Sequence, residues 1–207
     1  KSKNRDVAYN AAMALSRYGY AEGVADFIAR IENDKKYSFR LVNELFDNFS
    51  ADKAELASMV FEKCEEYMKI NVIKAISDYC LFEFEPMYIE GMSSKNPAMR
   101  IACVKALGDL ANPKNEQLLI TATYDKDWVV RSSAVKGLGK IDTPRSLEGI
   151  KEAIKDKEWW VRQAAAGALI NRNVSISDIE DILGGYDKYA ADAVKYALYR
   201  SVDIKEG

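Results

Sequence analysis

Asn96-Pro-Ala-Met-Arg100-Ile-Ala-Cys-Val-Lys105-Ala-Leu-Gly108, Asp127-Trp-Val-Val-Arg131-Ser-Ser-Ala-Val-Lys136-Gly-Leu-Gly139 and Glu158-Trp-Trp-Val-Arg162-Gln-Ala-Ala-Ala-Gly167-Ala-Leu169 are three copies of one segment, set 31 residues apart. Arg100, Arg131 and Arg162 fall in register, as do Leu107, Leu138 and Leu169. The same offset carries Ile73-Lys74-Ala75-Ile76 onto Val104-Lys105-Ala106-Leu107. A period of roughly 20 to 50 residues marks a solenoid, in which each unit is too small to bury its apolar face alone and does so by stacking on its neighbours.

The unit is helical. Val130, Ala134, Gly137, Leu138 and Ile141 recur at the spacing of one helix stripe, and the small members of that stripe let a neighbouring helix come close. A shorter helix precedes each such stripe. Two of these open with proline after a capping residue, Asn112-Pro113 and Thr143-Pro144; proline at the first helical position sacrifices no internal hydrogen bond. The pattern predicts thirteen helices, at 5–18, 20–33, 36–49, 51–65, 67–80, 85–93, 97–110, 113–123, 127–140, 144–155, 158–171, 176–184 and 187–201. The expected fold is all-α, an α-α superhelix of about six two-helix repeats after a leading half-repeat, forming a single domain over residues 1–207.

Composition points the same way. With 48% hydrophobic and 30% charged residues the 207-residue chain can bury a core, and 11 Gly with 4 Pro are too few for a turn-rich all-β fold. No run approaches the roughly 18 apolar residues of a membrane span. A formal charge of −2 gives no general attraction to nucleic acid or anionic membrane. Cys64, Cys80 and Cys103, odd in number and set in apolar helical patterns, read as reduced core residues of a cytoplasmic protein. The chain has no histidine, the commonest general base and metal ligand. It also lacks a phosphate-binding glycine loop, a Cys-x-x-Cys and a Gly-x-Ser-x-Gly. Glu65-Glu66 and the Glu83, Glu85 pair need no catalytic reading on so charged a surface. No cofactor, metal or catalytic residue is expected.

From Asp125 to Gly139 the motif Asp-x-x-Trp-x-Val-Arg-x-x-Ala-x-x-x-Leu-Gly resembles the short HEAT repeats of the phycobilisome-lyase type. The resemblance is sharpest over residues 94–172. It implies a right-handed superhelix whose second helices line a concave face. It also leaves open an accessory or catalytic role, since such families include bilin chromophore lyases and a HEAT-like group of DNA glycosylases. Tyr189 to Tyr199 lacks the Val-Arg pair and is expected to act as a terminal cap. A chain that starts at Lys1, with a first helix resembling the second half of a repeat, is expected to be excised from a longer parent; a tag scar or processed start would give the same lysine.

Partner binding is the expected use, through a non-enzymatic scaffold that engages another protein, and six residues stand out for it. Trp128 and Trp159 occupy equivalent helix starts, where they either form a stacking edge or seal the loops between repeats. Trp160, one residue on, falls opposite the apolar stripe, where its equivalents are Ala98 and Val129. Lys105 and Lys136 project to the face opposite Leu138, with Ser132, Ile101, Gln163 and Gly167. Arg131 belongs to the arginine register, which reads either as an anion-binding ladder or as charge-assisted pairing with the aspartates six residues before the latter two copies, Asp125 and Asp156; Ser94 replaces the aspartate before Arg100. Residues 44–90 hold 11 acidic and 4 basic residues, a net of −7, whereas residues 95–172 hold 9 acidic and 14 basic, a net of +5. The basic half would suit an acidic partner segment. Nothing in the sequence bears on oligomeric state.

Overall fold

The computed structural model describes residues 2–30, 35–172 and 174–203. Among them are thirteen α-helices and no strand, which makes the chain an all-α solenoid. The helices are α1 Ser2–Arg17, α2 Ala21–Ala29, α3 Lys35–Asp47, α4 Lys53–Lys63, α5 Glu66–Ile76, α6 Glu85–Gly91, α7 Pro97–Leu110, α8 Glu116–Ala122, α9 Trp128–Leu138, α10 Pro144–Ala153, α11 Trp159–Asn171, α12 Ile176–Gly184 and α13 Lys188–Asp203. Each answers to one of the thirteen expected, except that residues 31–33, assigned above to the second helix, lie outside the described residues. Two compact units contain them, Lys1–Glu85 and Pro86–Gly207.

In the first unit, helices of like position in the repeat pack on one another: α2 on α4, and α3 on both α1 and α5. The stripe Ala21, Val24, Ala25 and Ile28 buries one face of α2, and Leu56, Ala57 and Val60 bury one face of α4. Leu41, Val42, Leu45 and Phe46 do the same for α3. The turn after α1 needs Gly19, whose φ is +71° and whose missing Cβ would stand 2.8 Å from that of Ala51. Asp52 caps α4 by accepting from the Ala54 amide at 2.8 Å. Lys53 reaches back to the Phe46 and Phe49 carbonyl oxygens at 2.5 and 2.9 Å, satisfying the open end of α3. Of the three cysteines, Cys64 is buried, but Cys80 is not the core residue expected: it is exposed, at φ +51°, where the chain leaves a 3₁₀ turn that ends the helical pattern early.

In the second unit α7, α9, α11 and α13 pack in sequence, each on the next, while α8 and α10 lie against α9 and against each other. Gly108 and Gly137 set the α7–α9 distance, because a Cβ on Gly108 would come within 2.7 Å of the Gly137 Cα. Asn96 and Asp127 cap α7 and α9 through the amides two residues on, at 3.0 and 2.8 Å. Thr143 and Ser146 form a capping box over Pro144. Pro113 opens a 3₁₀ turn, Pro113–Asn115, that leads into α8, so the proline marks a helix start of tighter pitch than expected. Cys103 is buried, and burial pushes its thiol pKa up to about 12. No helix among the described residues is long and apolar enough to cross a membrane.

Candidate partner-binding site

Stacking brings residues 25 apart in the chain side by side, and this explains the arginine register. Arg100 donates through Nε and Nη2 to the two carboxylate oxygens of Asp125, at 2.8 and 3.0 Å, and through Nη1 to the Ser94 carbonyl at 3.0 Å. Arg131 repeats the arrangement with Asp156, at 2.7 and 2.9 Å, and with the Asp125 carbonyl at 2.9 Å. Each guanidinium therefore clamps the loop of its own repeat to the loop of the next, using the two-pronged geometry that suits a carboxylate. The hydrogen bond it donates to its aspartate holds each of these arginines more firmly protonated than usual. Burial alone would raise the pKa values of Asp125 and Asp156, but the arginine hydrogen bonds, with the amides of Asp127 and Glu158, hold both below the usual carboxylate value. Ser94 in place of the expected aspartate does not weaken the first clamp, because only its backbone oxygen is used.

The second helices of the last three repeats form an open groove of about 720 Å³ between α9, α11 and α13. The sequence placed Ser132, Lys136, Gln163 and Gly167 on one face, and all four line it. Trp128 and Trp160 stand at its mouth with rings stacked across adjacent repeats, centroids 6.5 Å apart and planes 25° from parallel. Trp160 is 61% exposed and Trp128 39%, so the pair presents aromatic surface to solvent. Lys136 and Arg200 supply positive charge and enter no ion pair among the described residues, and no carboxylate is among the lining residues. Ser132 lies on the groove floor and is buried, because the helices close on either side of its short side chain.

Of the six residues singled out from the sequence, Trp128, Trp160 and Lys136 share this groove; the other three do not line it. Arg131 is buried and committed to Asp156, so its charge is spent inside the fold rather than offered to a partner. Lys105 is exposed but paired with Asp109 at 2.7 Å, and Lys140 reaches the same aspartate at 2.6 Å. Trp159 turns from Trp128's neighbourhood to meet the edge of Tyr196, 5.8 Å between centroids. Arg200 was missed: its helix carries no Val-Arg pair, so the period gave no register there. Among the described residues no group of three or more Cys, Asp or Glu side chains is placed to hold a metal ion.

The fold and the clamp define a stack of paired helices tied loop to loop. Residues 85–170, which carry the three copies and both clamps, match the family described as HEAT repeats. No curated protein matches the chain. These residues are thus similar to HEAT repeats, which commonly serve as protein-interaction scaffolds.

Proposed function

We propose that the chain is a non-enzymatic scaffold whose α9–α11–α13 groove takes an acidic, extended segment of a protein partner, laying a flat or branched apolar side chain on the Trp128–Trp160 pair. One observation carries this reading: exposed stacked tryptophans share a lining without a carboxylate with two cations that enter no ion pair among the described residues. Aromatic anchors hold affinity through desolvated contact, and the cations raise the association rate. Lys105 and Lys140, held to Asp109, add to the basic character of the unit without lining the groove. The buried thiols of Cys64 and Cys103 support a reducing, cytoplasmic setting.

The test is titration of the chain with blocked acidic peptides that contain one Phe or Leu, followed by tryptophan fluorescence. Trp160→Ala should weaken binding at least about tenfold, as loss of a central aromatic contact does, while shifting Tm by no more than about two degrees, as surface substitutions do. Lys136→Glu should weaken it further at low salt than at high salt. A Trp160→Ala chain that unfolds, or that binds unchanged, would show that the tryptophans belong to packing between repeats.

A further inference from the structure

The clamp is built a third time but not closed. Arg162 repeats the first half of the arrangement, donating through Nη1 to the Asp156 and Lys157 carbonyl oxygens at 2.7 and 2.9 Å. The residue 25 further on is again an aspartate, Asp187. Here, however, the helix starts early: α9 and α11 begin three residues after Asp125 and Asp156, whereas α13 begins at the residue following Asp187. Asp187 is drawn into capping α13, where Oδ1 accepts from the Tyr189 and Ala190 amides, both at 3.0 Å. It forms no ion pair with Arg162, whose Nε is left with no hydrogen-bond partner although the residue is only 8% exposed. A buried guanidinium N–H without an acceptor is costly.

The surroundings hold that edge in place. The guanidinium lies 5.8 Å from the Trp159 ring and 5.3 Å from the Tyr189 ring. Arg162 lines an open pocket with Lys155, Lys157, Asp156, Asp187 and Tyr189. Asp156 is already committed to Arg131 and Lys155 pairs with Glu152 at 3.4 Å, so Lys157 and the open edge of Arg162 face Asp187 alone and leave the pocket a net positive charge.

We propose that Arg162 is a docking point for the side-chain carboxylate of an acidic polypeptide segment, which fills the place that Asp125 and Asp156 fill beside Arg100 and Arg131. The chain supplies its own precedent: in both closed clamps the Nε and Nη2 edge takes a planar carboxylate from a loop aspartate at 2.7–3.0 Å. Nη1 is occupied by carbonyls in all three, which leaves the Nε and Nη2 edge as the fork for a two-oxygen ligand, and the carboxylate is the occupant both closed clamps show. Arg162 does not line the tryptophan groove, and this site stands or falls apart from it.

The experiment follows the arginine Nε–H resonances of the ¹⁵N-labelled full chain during titration with acetyl-Lys-Asp-Lys-Glu-amide, a blocked copy of residues 155–158. A second arm uses acetyl-Lys-Ala-Lys-Ala with a free terminal carboxylate, and controls use phosphate and chloride at matched ionic strength. The Arg162 signal should shift saturably with the blocked Asp-bearing peptide, while those of Arg100 and Arg131 stay still. Arg162→Lys, which keeps charge but loses the planar fork, should weaken binding at least about tenfold. Asp187→Asn should leave it intact, as should Trp160→Ala. An Arg162 signal that ignores the peptide, or that follows chloride equally, would overturn the site. Tighter binding of phosphate or of the terminal carboxylate would overturn the side-chain assignment. A shift caused by Asp187→Asn alone would show that Asp187 already fills the fork. Should Arg162→Lys fail to fold, the wild-type titration decides by itself.

Discussion

Asp156 receives Arg131 from the preceding repeat and the Glu158 amide from its own loop, with little water on either side. Removing the arginine leaves a buried carboxylate without its counterion. Arg131→Ala should therefore cost about 3–5 kcal/mol in denaturant melts, as breaking one side of a buried pair does. The same clamps predict a pH dependence. Asp125 and Asp156 bind protons more weakly folded than unfolded. Their contribution is complete above the ordinary carboxylate pKa near 3.9 and is lost as pH falls through it toward the lowered native values. Stability should fall below about pH 4, and Asp156→Asn should flatten that fall while lowering stability at neutral pH. On the same helix as Arg131, Leu138 is fully buried and Lys136 exposed. Leu138→Ala should cost roughly 2–5 kcal/mol and Lys136→Ala no more than about 0.5. Equal losses in urea would mean the two faces of α9 have been exchanged.

At the level of helices, glycines separate close crossings from open surface. A methyl at Gly137 would stand 2.7 Å from the Gly108 Cα, so Gly137→Ala must push α7 and α9 apart and should cost about 1–3 kcal/mol. Gly167 on α11 meets nothing within 4 Å of an added Cβ. Gly167→Ala should be neutral or stabilise by up to about 1 kcal/mol, through helix propensity alone, and calorimetry on the two variants checks both signs. Helix positions were legible because a 31-residue period and an apolar stripe repeat the same instruction three times. Trp160 was legible as an outward residue because its equivalents, Ala98 and Val129, lie off the stripe. Arg131 was not legible as spent, since the aspartate that consumes it lies 25 residues downstream and becomes a neighbour only after stacking. Cys80 was misplaced for a local reason: α5 ends at Ile76 and gives way to a 3₁₀ turn, so a helical projection no longer applied four residues later.

For the whole molecule, the period crosses the boundary between the two compact units, from Ile73-Lys74-Ala75-Ile76 to Val104-Lys105-Ala106-Leu107. On that ground we propose one repeat array, whose expected signature is a single calorimetric transition; two resolved transitions would divide it near residue 85. Charge also differs along the chain, net −7 over residues 44–90 and net +5 over 95–172. Association of an acidic partner with the groove should slow as salt is raised, with dissociation less affected; stopped-flow rates at several ionic strengths test this. The clamp itself has a consequence for how such a chain can change length. Each clamp joins one repeat to its successor, so duplicating a full 31-residue segment keeps every one, and excising such a segment between equivalent positions removes one clamp whole and leaves neither of its partners behind. Doubling residues 126–156 would leave each arginine facing an aspartate 25 residues ahead of it, with one clamp added. An insertion of another size between an arginine and its aspartate would break the 25-residue spacing that brings the two together. The length of the array is in this sense counted in whole repeats, and growth by duplication is open to it where gradual lengthening is not.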